Sequence, residues 1–164
     1  MLEKSVKPLR YCLMNDFLVV KHAQGAPGLR LAGLGPNLIP QRALNKLIKL
    51  FDNNTSWAKG RSKKEVKTML SHSKVIVSLW NKNKLIGFGR ATTDESFRAV
   101  LWDIVIDHNY QKRGLGKLVV NSLLKHRAIY KVEKIYIITT FCNDFYSKMG
   151  FNYSKNQKLM VIEL

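Results

Sequence analysis

The sequence predicts a single mixed α/β domain over residues 1–164, with helices flanking a mostly antiparallel central sheet. Three strand-like segments follow one another at 74–80, 84–93 and 97–107, joined by short polar turns, which predicts a meander. A glycine-containing loop then leads directly into an amphipathic helical pattern. Hydrophobic residues make up 46% of the 164 positions, enough for one packed core.

The first half of the chain predicts one strand and two helices. Residues 1–40 contain a strand-like run at 17–21 followed by a Gly/Pro-rich loop. Ser62 and Glu65 have the Ser-x-x-Glu spacing of a capping box, so a second helix is expected to begin after Ser62. A first helix before it is predicted by apolar residues at helical spacing: Leu44, Leu47, Ile48 and Phe51.

The last third of the chain predicts helix, strand, helix and strand. An apolar stripe that includes Leu118 and Leu123 predicts a helix after the glycine loop. The runs at 133–140 and 159–164 are rich in β-branched and aromatic residues and predict strands, with a short helix at 143–150 between them. The predicted order is β-α-α-β-β-β-α-β-α-β.

Composition narrows the possible partners. The formal net charge of +17 is typical of nucleic-acid binders, but basic residues are dense only at 59–64 and 111–113, so a nucleic-acid-associated module is the alternative and not the first interpretation. Cys12 and Cys142 are isolated, which predicts structural thiols and no metal site. No apolar run approaches the roughly 20 residues of a membrane span, so no membrane partner is expected. No pattern specifies an oligomeric state.

The junction at 107–120, DHNYQKRGLGKLVV, indicates an anion site. Gln111, Gly114 and Gly116 form a Q-x-x-G-x-G pattern, and successive amides of such a loop can point into one concavity that suits phosphate oxygens. The alternative is a tight turn into a surface helix. A dinucleotide fingerprint is excluded because Val119 occupies the place of its third small residue.

These residues resemble a known family. The stretch LWDIVIDHNYQKRGLGKLVV, followed by FYSKMGF, is similar to the GCN5-related N-acetyltransferases (GNAT), and the likeness covers the chain from about Leu44 onward. The stretches SWAKGRS, VIVSLW, GFGRATTD and AVLWDIVID are similar to the plastid serotonin N-acetyltransferases and their cyanobacterial and red-algal plastid relatives. The resemblance implies the GNAT fold, acetyl-CoA as donor, and the plastid stroma as location.

The resemblance also implies where acetyl-CoA binds. The donor is expected in a V-shaped gap where the strand 101–107 parts from the strand 134–140, with Asn143 and Phe145 beside the pantetheine arm. The arm is expected to pair with the backbone of Ile104, Val105 and Ile106. The pyrophosphate is expected at the glycine loop, with basic side chains as support: Gln111, Lys112, Arg113, Gly114, Leu115, Gly116 and Lys117.

Acetyl transfer to an amine requires a donor for the thioester oxygen, help for the leaving thiolate and a proton acceptor. The amide of Ile106 or a neighbour is the candidate oxygen donor. Tyr146 matches the family's late-helix tyrosine, which can hydrogen-bond the leaving sulfur; the alternative is a core tyrosine packed beside Phe145. Asp103 is the candidate base or water-holder, with a structural hydrogen-bonding role as its alternative, and Asp107 and Asp144 are fallbacks.

The acceptor is expected to enter from the side of the first two helices. Trp57 can either stack on an aromatic amine or anchor the core there. By resemblance the candidate acceptors are serotonin, related arylalkylamines, polyamines and protein lysines. Alternation places Asp103 on the same strand face as Leu101 and Val105.

Overall fold

A computed structural model of the protein describes residues 10–14 and 17–163, with side chains from residue 17 onward. Within these residues one six-stranded sheet runs in the order β1 to β6, antiparallel throughout except for the parallel pair β5–β6. The strands are β1 Arg10–Met14, β2 Phe17–Lys21, β3 Val75–Asn81, β4 Lys84–Thr93, β5 Arg98–Ile106 and β6 Lys134–Ile137. The helices are α1 Ala43–Asn54, α2 Lys63–Ser71, α3 Leu115–Leu124 and α4 Asn143–Ser147.

The predicted mixed fold and its central meander are confirmed. Strands β3, β4 and β5 pair in sequence order, and α2 begins with the predicted capping box. Ser62 Oγ accepts from the Glu65 amide at 3.2 Å, and the Glu65 carboxylate accepts from the Ser62 amide at 2.7 Å. These two bonds satisfy amides that the first turn of α2 leaves without helical partners.

Two differences from the sequence-based order occur at the ends of the chain. Strand β1 was not predicted, because the five residues RYCLM show no strict alternation; it pairs with β2 as a hairpin. The predicted closing strand at 159–164 is wrong for its described residues 159–163, which belong to no strand. Met160 and Ile162 are 91% and 83% exposed. Strand propensity alone does not make a strand without a neighbour to complete its hydrogen-bond ladder.

The sheet is covered on both faces. Helices α1 and α2 pack over one face on a core that contains Phe51, Trp80 and Phe88. Helix α3 packs over the other face on a core that contains Leu79 and Val119. Strand β5 therefore has the α1 and α2 core on one face and the α3 core on the other.

Helix α3 approaches the sheet most closely at Gly89 of β4. A Cβ atom at this position would lie 2.7 Å from Val119 Cγ1 and 3.1 Å from Leu123 Cδ1. Because packed side chains do not approach that closely, the glycine sets the distance between helix and sheet.

Gly89→Ala is expected to lower the free energy of unfolding by roughly 1–3 kcal/mol, because the added methyl overpacks this contact. Urea denaturation measures the effect. Val119→Ala removes the nearest methyl, so Gly89→Ala should cost less in that background. An equal cost in both backgrounds would contradict the contact.

Candidate functional site

Strands β5 and β6 part where the gap was predicted. Their parallel pairing runs from Arg98 with Lys134 to Leu101 with Ile137 and ends there. Strand β5 continues to Ile106, so its last five residues have no β6 neighbour within the described chain. Backbone groups on this free edge are available to a ligand that pairs as a strand does.

A bulge in β5 lies at the start of the gap. Phe88 pairs with Val105 and Arg90 with Trp102, so two β5 residues face the single residue Gly89, and Asp103 has a φ of +50°. A bulge of this kind bends the strand and redirects the side chains beyond it.

The predicted alternation through Asp103 is therefore wrong in part. Leu101 belongs to the core under α3, whereas Val105 belongs to the core under α1 and α2. Asp103 shares the α1 side with Val105, since its carboxylate reaches Arg61 just before α2. The extra residue of the bulge shifts the alternation, and no residue pattern in the sequence marks it.

Two arginines bind the Asp103 carboxylate. Arg61 Nη1 lies 3.2 Å from Oδ1, and Arg90 Nε donates to Oδ2, while the Asp103 side chain is only 5% exposed. Each guanidinium is also held by aromatic rings: Arg90 lies over Trp102, and Arg61 lies over Phe51 and Trp57. Because both oxygens of Asp103 bind a cation, the geometry favours its structural hydrogen-bonding role.

The fallback carboxylates differ in environment. Asp107 is buried, bound by the Lys84 ammonium at 2.8 Å and by the amide of Asn109 at 3.0 Å. Burial raises the pKa of Asp107, but the bonds from Lys84 and Asn109 together outweigh burial and hold the pKa below its ordinary value. Asp144 lies exposed in the first turn of α4.

The loop 111–116 presents free amides. Within the described chain, none of the backbone N–H groups of residues 112–117 donates to a protein acceptor. Lys112 and Gly114 have φ values of +60° and +76°, and a Cβ at Gly114 would meet nothing within 4 Å. Gly114 is the N-cap of α3, so these amides lie at the positive end of the helix macrodipole. The arrangement is an open loop whose unpartnered amides are suited to receive an anion.

Side chains around the loop have distinct positions. The side-chain amide of Gln111 donates through Nε2 to the Ile106 carbonyl at 3.1 Å, and this bond connects the loop with the end of β5. Lys112 and Lys117 are exposed, and Arg113 lies over the ring of Tyr110. Leu115, also predicted at this site, is buried in the core, so only its amide faces outward from the protein interior.

Helix α4 packs against the start of α3. The Phe145 ring lies over Gly116, where an added Cβ would come within 3.3 Å of its Cζ. Phe145 also contacts Tyr146 edge-to-face, with ring centroids 4.9 Å apart. Asn143 is the exposed first residue of α4.

The Tyr146 phenol is buried yet its hydroxyl is not engaged. The side chain is 8% exposed, and the hydroxyl makes no hydrogen bond within the described residues. No fully buried side-chain oxygen or nitrogen in those residues lacks a partner, so this hydroxyl reaches an accessible position. Burial, with a smaller contribution from Cys142, raises the pKa of Tyr146 to about 12, and the phenol remains a hydrogen-bond donor at neutral pH.

Trp57 lies at the surface beside α1. It is 53% exposed and packs against Phe51 with ring centroids 6.5 Å apart, so it is not a buried anchor. The Arg61 guanidinium lies over its ring, 5.8 Å from the centroid, and also binds Asp103, so Trp57 is close to Asp103.

The two arginines of this cluster were not assigned a role from sequence. Arg90 interrupts the otherwise apolar strand GFGRATT, and an arginine in mid-strand requires a buried acceptor. That signal could have identified the Arg90–Asp103 pair.

No group of three or more His, Cys, Asp or Glu side chains in the described part of the chain could hold a metal ion. In the same part, no helix is long and apolar enough to cross a bilayer.

Comparisons with known proteins show the family and the fold. The model of the acetyltransferase (GNAT) family matches residues 44–151. An N-acetyltransferase named ycf52 of Porphyra purpurea is 41% identical over 116 residues, which are 66% of this chain and 64% of that relative. The chloroplastic GCN5-related N-acetyltransferase 2 of Arabidopsis thaliana is 42% identical over 74 residues, 43% of this chain and 28% of that protein. The chain thus matches less than two thirds of the length of either relative.

Among solved structures, an acetyltransferase of Xanthomonas campestris pv. campestris has the same fold. The TM-score is 0.65 at 19% identity, over 79% of this chain and 89% of that one.

Asp103→Asn is expected to lower the free energy of unfolding by roughly 2 kcal/mol, below the value for a fully buried pair because Arg61 is partly exposed. The amide keeps the shape but leaves two guanidinium groups without their anion. Urea denaturation measures the free energy of unfolding. Asp144→Asn, at an exposed position, is the control and should change this free energy little. Equal small effects in both variants would contradict a structural role for the cluster.

Proposed function

The chain belongs to the acetyltransferase (GNAT) family, and we propose that it transfers the acetyl group of acetyl-CoA to a primary amine. The observation that carries this proposal is the row of unpartnered amides at residues 112–117, next to the free edge of β5. The chloroplastic relative supports a further proposal, that the protein acts in the plastid stroma.

The residues present fit the diphosphate of acetyl-CoA. The amides of residues 112–117 supply several donors to one open space, and the α3 macrodipole favours negative charge there. Lys112, Arg113 and Lys117 add positive charge around the same space. Leu115 and Gly116 contribute backbone only, and Gln111 fixes the loop against β5.

The free edge of β5 fits the pantetheine arm. Ile104, Val105 and Ile106 lie beyond the last β5–β6 pair. The Asp107 amide donates to the Ile86 carbonyl of β4, so by alternation the backbone groups of Ile106 face the free edge, where they can bond an extended ligand, whereas those of Val105 face β4. The Ile106 carbonyl already accepts from Gln111. The Ile106 amide or a neighbouring amide is the proposed donor to the thioester oxygen. Phe145 and Asn143 flank the arm from α4.

In the proposed reaction the neutral amine attacks the thioester carbonyl carbon, the new C–N bond forms, and the C–S bond breaks to release the CoA thiolate. Tyr146 hydrogen-bonds the leaving sulfur without ionising, since its pKa is raised to about 12. Asp103 and Asp107 are both bound to cations, so water is the proposed acceptor for the proton of the amine. Asp103 then acts by holding Arg61 and Arg90 beside the gap.

The acceptor class is a primary amine entering past Trp57. Its exposed ring can stack on an aromatic amine such as serotonin, and Arg61 lies between that ring and Asp103. Polyamines and protein lysines are the other candidates.

Release of CoA thiol with a panel of amines tests the proposal: arylalkylamines, polyamines and lysine peptides, each with an amine-free control. Acetyl-CoA binding is measured separately by calorimetry. Thiol release that depends on an amine is the expected result. Complete absence of acetyl-CoA binding would refute the proposal.

Gly114→Asp and Gly114→Asn separate charge from backbone strain. Both side chains must adopt φ of +76°, which Asn and Asp tolerate better than most residues, but only Asp places a negative charge beside the proposed phosphates. Calorimetry should show acetyl-CoA affinity lower in the Asp variant, by about tenfold relative to Asn. Equal affinities would argue against the loop assignment.

Tyr146→Phe removes the hydroxyl and keeps the aromatic packing. Turnover should fall by about ten- to hundredfold, while acetyl-CoA affinity stays near that of the wild type. Because the pKa of Tyr146 is about 12, the ratio of wild-type to variant turnover should be constant from about pH 6 to 10. Matching losses in turnover and affinity would indicate a packing role instead.

A further inference from the structure

A basic pocket lies beside the proposed acceptor entrance, between α1 and the start of α2. Its volume is about 780 Å³, within the usual range for small-molecule sites. Five cationic side chains and one carboxylate line it: Arg42, Lys46, Lys49, Arg61, Lys63 and Asp52.

Most of this positive charge is not neutralised by the protein. Arg42, Lys49 and Lys63 are exposed and make no side-chain hydrogen bond or ion pair within the described residues. The Lys46 ammonium donates to the Gln41 side chain at 3.0 Å and to the Asn83 carbonyl, and it lies over the Trp80 ring, so none of its partners is an anion. The single carboxylate that lines the pocket, Asp52, offsets one of these positive charges. The pocket therefore has a strong positive potential.

Arg61 connects the pocket with the reacting gap. Its Nη1 binds Asp103, which lies next to Ile104 on β5, while the same side chain lines the pocket. Its Nε and Nη2 groups donate to no acceptor within the described residues. The rings of Phe51 and Trp57 lie against the guanidinium, with centroids 5.6 and 5.8 Å from its Cζ. A planar guanidinium held in this way suits a carboxylate or phosphate.

We propose that this pocket binds an anionic group of the acceptor, so that the preferred acceptor is a small molecule with a primary amine and, several bonds away, a carboxylate or phosphate. The inference rests on the proposed acetyl transfer and adds the acceptor class to it. A second ammonium, as in a polyamine, is disfavoured because it would enter the same positive potential. The link through Arg61 to the reacting gap favours an acceptor as the occupant. The basic surface continues through Arg42 and Lys63 to Arg30 and Lys67, so nucleic acid is the alternative outcome of the test.

Three acceptors of similar length test the proposal: 6-aminohexanoate, hexylamine and cadaverine. They carry the same reacting amine and differ only in the far end, which is a carboxylate, a methyl group or an ammonium. We expect kcat/KM to be highest for 6-aminohexanoate, lower for hexylamine and lowest for cadaverine. O-phosphoethanolamine against ethanolamine extends the comparison to a phosphate.

Lys49→Glu places a negative charge in the pocket, and Lys125→Glu makes the same change at the exposed end of α3, on the other face of the sheet. Lys49→Glu should lower the ratio of kcat/KM for 6-aminohexanoate to kcat/KM for hexylamine by about tenfold. Lys125→Glu should leave this ratio unchanged. Acetyl-CoA binding, measured by calorimetry, shows that the Lys49 variant is folded.

The possible failures are distinct. If CoA thiol is released with hexylamine but kcat/KM is no higher for 6-aminohexanoate, the inference about the pocket is overturned. The same holds if kcat/KM is highest for cadaverine. In both cases the proposed acetyl transfer is not contradicted. Absence of release with every amine, together with no acetyl-CoA binding, overturns the proposed function itself. Salt-sensitive binding of double-stranded DNA that Lys49→Glu weakens, without any acceptor preference, would assign the surface to nucleic acid instead.

Discussion

The early end of the β5–β6 ladder is the constraint on which the candidate site depends. Where β5 pairs with β6, the backbone groups on that edge are already hydrogen-bonded and cannot bind a ligand. This pairing ends at Leu101. Beyond that residue the bulge at Asp103 turns the strand, and the Asp103 carboxylate binds guanidinium groups from β4 and from the segment before α2. These bonds lie on the α1 side of β5, and α3 packs against the other face of the sheet. Strand edge, loop amides and the Tyr146 helix meet because the sheet stops pairing at this point.

Part of the high positive charge lies at two separate places. One part surrounds the loop at the start of α3, where the amides themselves provide the specific contacts and Lys112 and Lys117 only strengthen the field. The other part lines the pocket between α1 and α2, where Arg42, Lys49 and Lys63 have no anionic partner in the described chain. The proposed donor with phosphates and the proposed acceptor with an acidic group would account for the cations at these two places.

Sequence patterns predicted those features whose cause is local. The capping box at Ser62, the helical stripe around Leu47 and the glycines of the loop each carry their signal within a few residues, and each is present. Features that depend on distant partners were missed. The bulge at Asp103 arises from a mismatch with β4, and the Arg61–Asp103 contact joins residues 42 positions apart. The run at 159–164 has the composition of a strand, but its described residues have no neighbour to pair with.

The contact between Gly116 and Phe145 links two parts of the site that are far apart in sequence. The ring of Phe145 rests on the first turn of α3, and the next residue carries the phenol. A side chain at position 116 would meet this ring, with its Cβ within 3.3 Å of Phe145 Cζ. The start of α3 and the helix that carries the phenol can therefore lie this close only because residue 116 is a glycine.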